Sequence, residues 1–277
     1  SIDAVNEFDP IFEDMYDYCE AQELEVDTLI HESGAAQMEI NFLHGDAIDL
    51  ADQVFLFKRT MREAAHRHGI YATFMAKPMS DEPGSAMHIH QSLEDAEGRN
   101  LFGTSEGGNS ALFMHFIAGL QKYTPAVTAL LAPNVNSYRR LTFGESAPRN
   151  VQWGVENRTC GLRVPFSEPS ARRVENRFAG ADANPYLALA ATLACGYLGM
   201  LEKLEPMQEM KASAYDLPYS LPRSLEESLS HLEQCEPIKD MLGERFIRAF
   251  VAVKRKEYET YFGVISRWER EFLLLNV

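Results

Sequence analysis

Polar and apolar positions follow two different periods along this chain. Over residues 36–43, Gln37, Glu39 and Asn41 alternate with Met38, Ile40 and Phe42, the period-two pattern of a half-buried strand with one polar face. Residues 26–31, 71–77, 85–93, 151–155, 160–165 and 173–178 read as further short strands. A helical period takes over in 46–68, where Asp46 and Asp49 stand at the front, Arg67 and His68 at the back, and Gly69 is the stop signal. It returns in 110–131, which ends ahead of Pro133, and in 184–201, opened by Asn184-Pro185. A helix over 10–22, capped by Asp9 with Pro10 in its first turn, and two more between 225 and 261 complete the pattern. Between Pro133 and Asn150, a Pro-, Asn- and Gly-rich stretch shows little periodicity and reads as a functional or mobile segment. Antiparallel strands with helices outside place the chain in the α+β class.

Composition narrows the picture without naming a function. The chain has 277 residues, 45% hydrophobic and 24% charged, enough for one large globular domain with a substantial core. Its 41 acidic against 26 basic residues give a net charge of −15, which disfavours non-specific attraction to nucleic acid or an anionic membrane. A phosphate ligand would have to be held by local arginines and metal. Cys19, Cys160, Cys195 and Cys235 are far apart with no Cys-x-x-Cys pair, so neither a zinc knuckle nor a disulfide framework is indicated. With no membrane-length apolar run and no signal-peptide pattern at the start, a cytoplasmic protein is expected.

The candidate chemistry lies in four short segments. His88 and His90 are two apart and share one face of an extended segment. Alone such a pair is ordinarily solvated or hydrogen-bonded. Glu32 with Glu39, Arg158 with Arg163, and Arg173 with Glu175 and Arg177 recur at similarly short spacing. A carboxylate on an alternating strand is usually a solvated face residue, and an arginine at a strand end usually makes a weak surface ion pair. Converging on one place, however, these groups are what a divalent-metal and nucleotide-phosphate site requires.

Taken in order, the segments resemble the catalytic domain of the glutamine synthetase family. The likeness is carried by His31-Glu32-Ser33-Gly34-Ala35-Ala36-Gln37-Met38-Glu39, Lys77-Pro78, the run from Gly84 to Ser92, Tyr138-Arg139-Arg140-Leu141, the run from Asn157 to Pro165, Arg172-Arg173-Val174-Glu175-Asn176-Arg177 and Asn184-Pro185-Tyr186. The wording is similar to the branch that includes γ-glutamylpolyamine synthetases. The resemblance implies a curved antiparallel sheet flanked by helices, and ATP-dependent activation of glutamate to γ-glutamyl phosphate, which ammonia or an amine then attacks. It implies Mg²⁺ or Mn²⁺ at two or more sites, with Glu32 and Glu39 holding one ion and His88 and Glu175 helping to hold another. Arg140 would take the α-carboxylate of glutamate, with Gly84 allowing close approach of the backbone. Arg158, Arg163, His90, Ser92 and Arg173 would serve ATP, and Arg177 the reacting carboxylate or the phosphoryl group moving to it. The complete protein would form a homo-oligomeric ring.

Three departures qualify these implications. The family's Glu-x-Glu strand upstream of Glu32 has no match, since Glu23 and Glu25 follow a helical segment. Nor is there a match to the N-terminal β-grasp domain, so the chain reads as a catalytic-domain fragment of weak or no turnover on its own. Pro83 stands where ammonia-using members have Asn, and ungapped matching puts Ser146 where their flap has Glu, with Glu145 one position away. An ungapped flap favours a larger amine, whereas a local shift that brings Glu145 in keeps ammonia. Two other readings compete: a non-catalytic homologue that keeps the fold and an anion pocket, and a metal-dependent hydrolase built on Glu32, Glu39 and His88. Arginine density at Arg158, Arg163 and Arg177 suits phosphates better than the hydrolase.

Overall fold

Helices start at Asp46, Ser110 and Asn184 as the sequence predicts, and in the structure each of these side chains caps its helix. The computed structural model describes residues 2–143 and 146–277. In it the Asp46 carboxylate accepts from the backbone of Ile48 and Asp49 at the start of α2 (Ala47–Arg67), which follows α1 (Ile2–Ala21). The Ser110 hydroxyl accepts from Phe113 N ahead of α3 (Ala111–Leu131), and the Asn184 amide oxygen accepts from Leu187 N ahead of α5 (Pro185–Glu202), with Pro185 in its first turn. The first helix differs from expectation. It starts before Asp9, so Pro10 lies inside it.

The strands correct the expected sheet. There is not one curved antiparallel sheet but two open ones. β1 (Val26–His31) and β2 (Met38–Phe42) form an antiparallel pair by themselves. The second sheet has the order β3-β6-β5-β4, from β3 (Ile89–Gln91), β4 (Trp153–Val155), β5 (Leu162–Val164) and β6 (Val174–Asn176). β4 and β5 run parallel. The physical reason shows in 71–77, which forms no strand. Lys77 gives its N–H to Asn136 Oδ1 at 2.8 Å and accepts at its carbonyl from Asn136 Nδ2 at 2.9 Å. One asparagine side chain thus satisfies the backbone groups that a neighbouring strand would have paired.

That asparagine belongs to α4 (Val135–Phe143), a helix inside the stretch that reads as a loop. Three helices rather than two fill the next region, α6 (Leu225–Gln234), α7 (Glu236–Leu242) and α8 (Glu244–Phe262), and α9 (Arg267–Phe272) follows.

The main core is built where α3 crosses α5 and both meet the four-stranded sheet. Phe113, Phe116, Ile117 and Leu120 of α3 are fully buried there with Leu162, Val164 and Val174. Each such side chain is worth about 1.5–3 kcal/mol of burial. The helices meet at glycine: a Cβ on Gly119 would stand 2.2 Å from Cys195 O, and one on Gly199 2.2 Å from His115 O. A smaller core of Phe12, Met15, Cys19, Leu24 and Phe57 joins α1 and α2 to the β1–β2 pair. No helix among the described residues is long and apolar enough to cross a membrane.

Candidate active site

Glu175 is the centre of the site. On β6, paired between β3 and β5, it is buried to 2% exposure. A carboxylate in that position must be compensated. Its Oε2 accepts from Arg163 Nη1 at 2.6 Å, and its Oε1 from Arg177 Nη1 at 2.6 Å, with His88 Nδ1 3.3 Å from the same oxygen. Burial by itself would raise the Glu175 carboxyl, but Arg177, Arg163 and the two imidazoles outweigh it and hold it below the ordinary carboxylate range. Arg163 is shared: its Nη2 donates to Glu156 Oε2 at 2.9 Å, and Glu156 Oε1 accepts from Phe166 N. Glu156 was not singled out from sequence, because a glutamate after a short strand carries no signal of its own.

The two histidines stand near this carboxylate in different ways, His88 beside its Oε1 and His90 as the backbone partner of Glu175. His90 lies on β3 directly across from Glu175, and its Nδ1 accepts from Arg173 Nε at 3.2 Å. His88 precedes the strand. Burial, and after it the neighbouring Arg177 charge, pushes the His88 imidazole from 6.5 down to about 3. The folded protein therefore presents neutral imidazole, the form that binds a metal. Between pH 6.5 and about 3 the unfolded chain takes up a proton that folded His88 refuses, so stability falls as pH drops through that window. In metal-free protein at pH 5, nitrogen NMR should show His88 neutral; titration near pH 6.5 would contradict this environment.

Glu32 follows β1 directly, where its N–H donates to Gln37 O at 2.9 Å, and Glu39 lies on β2 across from Ile30. Their carboxyls face each other. Burial first, then the charges of Glu32 and more weakly Glu175, raise the Glu39 carboxyl above its ordinary range. The β1–β2 pair is tied to the segment before His88 by Gln37, whose Nε2 donates to Gly84 O and Ser85 Oγ, each at 3.1 Å. Gln37 shares a face with Glu39 in the alternating pattern, the one sequence signal that could have marked this tether.

The other expected residues divide into two groups. Gly84 is wedged beside Arg140, since a Cβ there would stand 2.7 Å from Ala76 O and 2.9 Å from Arg140 Cγ. Arg140, 4% exposed, donates from Nη1 to Phe178 O and from Nη2 to Arg177 O, both at 2.8 Å, and burial lowers its pKa to about 10. Ser92 and Arg158 are exposed, and neither makes a hydrogen bond among the described residues. Ser146 is exposed, while Glu145 lies outside the described residues. The structure thus brings together His88, His90, Arg163, Arg173, Glu175 and Arg177, and separately Glu32 with Glu39. Three His, Cys, Asp or Glu side chains close enough to hold a metal do not occur as one group among the described residues. The single sheet expected to carry all four proposed ligands is replaced by two, with Glu39 on one and Glu175 on the other.

A buried carboxylate crossed by two arginines, beside a repelling carboxylate pair, suits a polyanionic substrate with metal. Residues 1–273 match the family of the glutamine synthetase catalytic domain. The chain is 36% identical over 280 residues to the γ-glutamylputrescine synthetase PuuA of Escherichia coli K12, 40% over 249 residues to the glutamine synthetase of Pyrococcus abyssi, and 36% over 244 residues to a glutamate–isopropylamine ligase of a Pseudomonas species. These alignments take in 100%, 87% and 86% of the chain, but only 59%, 56% and 53% of those relatives. Solved structures of GmaS without ligand and of a GmaS/ADP complex superpose with a TM-score of 0.89 at 33% identity, over 98% of this chain and 64% and 65% of theirs. The chain belongs to the glutamine synthetase catalytic-domain family.

Proposed function

We propose that this chain carries the catalytic site of an ATP-dependent ligase that joins the γ-carboxylate of glutamate to ammonia or an amine. The observation that carries this reading is the Glu175 cluster, where Arg163 and Arg177 converge on a buried carboxylate beside a neutral imidazole. In the first step a γ-carboxylate oxygen attacks the terminal phosphorus of ATP and the bond to ADP breaks. Amine nitrogen then attacks the acyl carbon, phosphate departs with its oxygen, and the nitrogen loses a proton.

The donor types fit divalent cations. Glu32 and Glu39 would hold one Mg²⁺ or Mn²⁺, and His88 with Glu175 another; the ions would offset the repulsion between carboxylate and phosphate. The raised Glu39 carboxyl supports the first placement, because paired carboxylates short of positive charge are relieved by a cation. Arg177 is held in place by Glu175 through Nη1 alone, which leaves its Nη2 for phosphate, whereas Arg163 would have to release Glu156 or Glu175 to serve ATP. Arg158 and Ser92 are exposed and would serve the nucleotide, as would His90 and Arg173, which are bonded to each other. Arg140, bonded to the carbonyls of Arg177 and Phe178, positions Arg177. Its expected hold on the α-carboxylate of glutamate requires those bonds to exchange on binding.

Arg158→Ala should raise KM for ATP about tenfold or more while leaving the melting temperature unchanged, as a charge-assisted hydrogen bond is worth about 1.5–3 kcal/mol. A shift in melting temperature with KM unchanged would remove Arg158 from the nucleotide side.

Ammonium, putrescine and ethanolamine, compared in coupled ADP-release assays with glutamate on the full-length protein, test the acceptor. Exposed Ser146 at the flap supports an amine. Use of ammonium alone, lost selectively in Glu145→Ala, would show that the flap residue is Glu145 and the acceptor ammonia. ATP and glutamate left unreacted with every acceptor would favour a non-catalytic homologue.

A further inference from the structure

A cavity of about 650 Å³ lies between α2, residues 72–75 and the chain leading into α4 and α5, and none of the candidate active-site residues lines it. Three cations of α2 line it: Lys58, Arg59 and Arg62. Lys58 Nζ donates to the carbonyls of Ala181 and Ala183 at 2.7 and 2.8 Å, and the Arg62 guanidinium stands 4.9 Å from the centre of the Phe74 ring. None of the described ion pairs involves any of the three.

The one acidic residue in the lining, Asp182, has its Oδ2 engaged by Asn134 Nδ2 at 2.8 Å and Ser137 Oγ at 2.6 Å. Burial pushes the Lys58 ammonium down to about 8, although Asp182 opposes this. The lining therefore sets three cations against one carboxylate, whose other oxygen, Oδ1, is buried without a hydrogen-bond partner among the described residues. Asn184 and Pro185 bring the positive end of 18-residue α5 to the same wall. In a chain with a net charge of −15, three cations against one carboxylate in a single lining is not general surface character.

We propose that this cavity binds a small oxyanion, a phosphate or a polycarboxylate, at a site separate from the active site. Arg59 and Arg62 would grip it as forks, and Phe55 and Phe74 would flank any apolar portion. Its walls are connected to the active site. Ser137, which holds Asp182, is in the same helix as Arg140; Asn136 holds Lys77 next to Ala76, whose carbonyl abuts Gly84. Occupancy would thus bear on the backbone that positions Arg177.

The test follows the side-chain Nε–H signals of Arg59 and Arg62 by NMR while inorganic phosphate or, separately, citrate is added at constant ionic strength. Saturable shifts are expected with at least one of the two. Both arginines are exposed on a helix, so Arg59→Ala/Arg62→Ala should fold, and it should weaken binding measured by calorimetry at least tenfold. Arg158→Ala should leave it unchanged. Saturation by phosphate alone would assign a phosphate-type ligand, and by citrate alone a carboxylate-type ligand. Shifts that chloride reproduces, no saturation with either anion, or binding lost in Arg158→Ala but kept in the double variant would each overturn the site.

Discussion

Glu175→Ala is expected to lower the free energy of unfolding by about 3–5 kcal/mol, because it leaves two guanidinium groups facing each other without their shared counter-charge. Arg163 and Arg177 both bond this carboxylate at 2.6 Å, and it is 2% exposed. Denaturant titration at pH 7 reads the effect. Glu175→Gln keeps the volume and one acceptor, so it should lose less stability, yet it removes a ligand charge. Mn²⁺ affinity should therefore fall at least about tenfold in both variants. A Glu175→Ala protein with unchanged stability would mean that the arginines find other partners, and the account of Glu175 as their shared counter-charge would fail.

Gly119→Ala should destabilise the main core by about 1–3 kcal/mol, toward the upper end, since its Cβ would meet backbone that cannot swing aside. The atoms it would meet are Cys195 O at 2.2 Å and Gly199 N and Cα at 2.7 Å. To admit the methyl group, α3 and α5 would have to separate, and Phe116 and Ile117 would lose contact with the helix opposite. Thermal melting measures it; a gain in melting temperature through the better helix propensity of alanine would show that the crossing can open freely.

Much of the helical framework was legible because its signals are local. Asp46, Ser110 and Asn184 cap where a polar side chain precedes an apolar period, and β1 covers the residues that its β-branched and apolar run predicts. α4 was missed because Asn134, Asn136 and Ser137 read as loop formers. In the structure Ser137 Oγ accepts from Asn134 N and starts the helix instead. The expected strand at 71–77 failed for a non-local reason, the Asn136 side chain serving Lys77 across 59 positions. The same divide holds in the site. Short spacing identified His88 with His90 and Arg173 with Glu175 and Arg177, whereas the inward commitment of Arg140, the Glu156 support of Arg163 and the Gln37 tether depend on contacts that no spacing encodes.

The placement of Glu32 with Glu39 and of His88 with Glu175 around one phosphate-transferring centre is tested most directly by Mn²⁺, whose paramagnetism broadens NMR signals near the ion. Carboxyl-labelled glutamate and nitrogen-labelled histidine would report on the four residues in one titration. Broadening of Glu32, Glu39, His88 and Glu175 ahead of every other glutamate and histidine, reversed by a chelator and weakened in Glu39→Gln, is the result the account predicts. Broadening that begins elsewhere on this acidic surface, with those four signals left sharp at saturation, would contradict it.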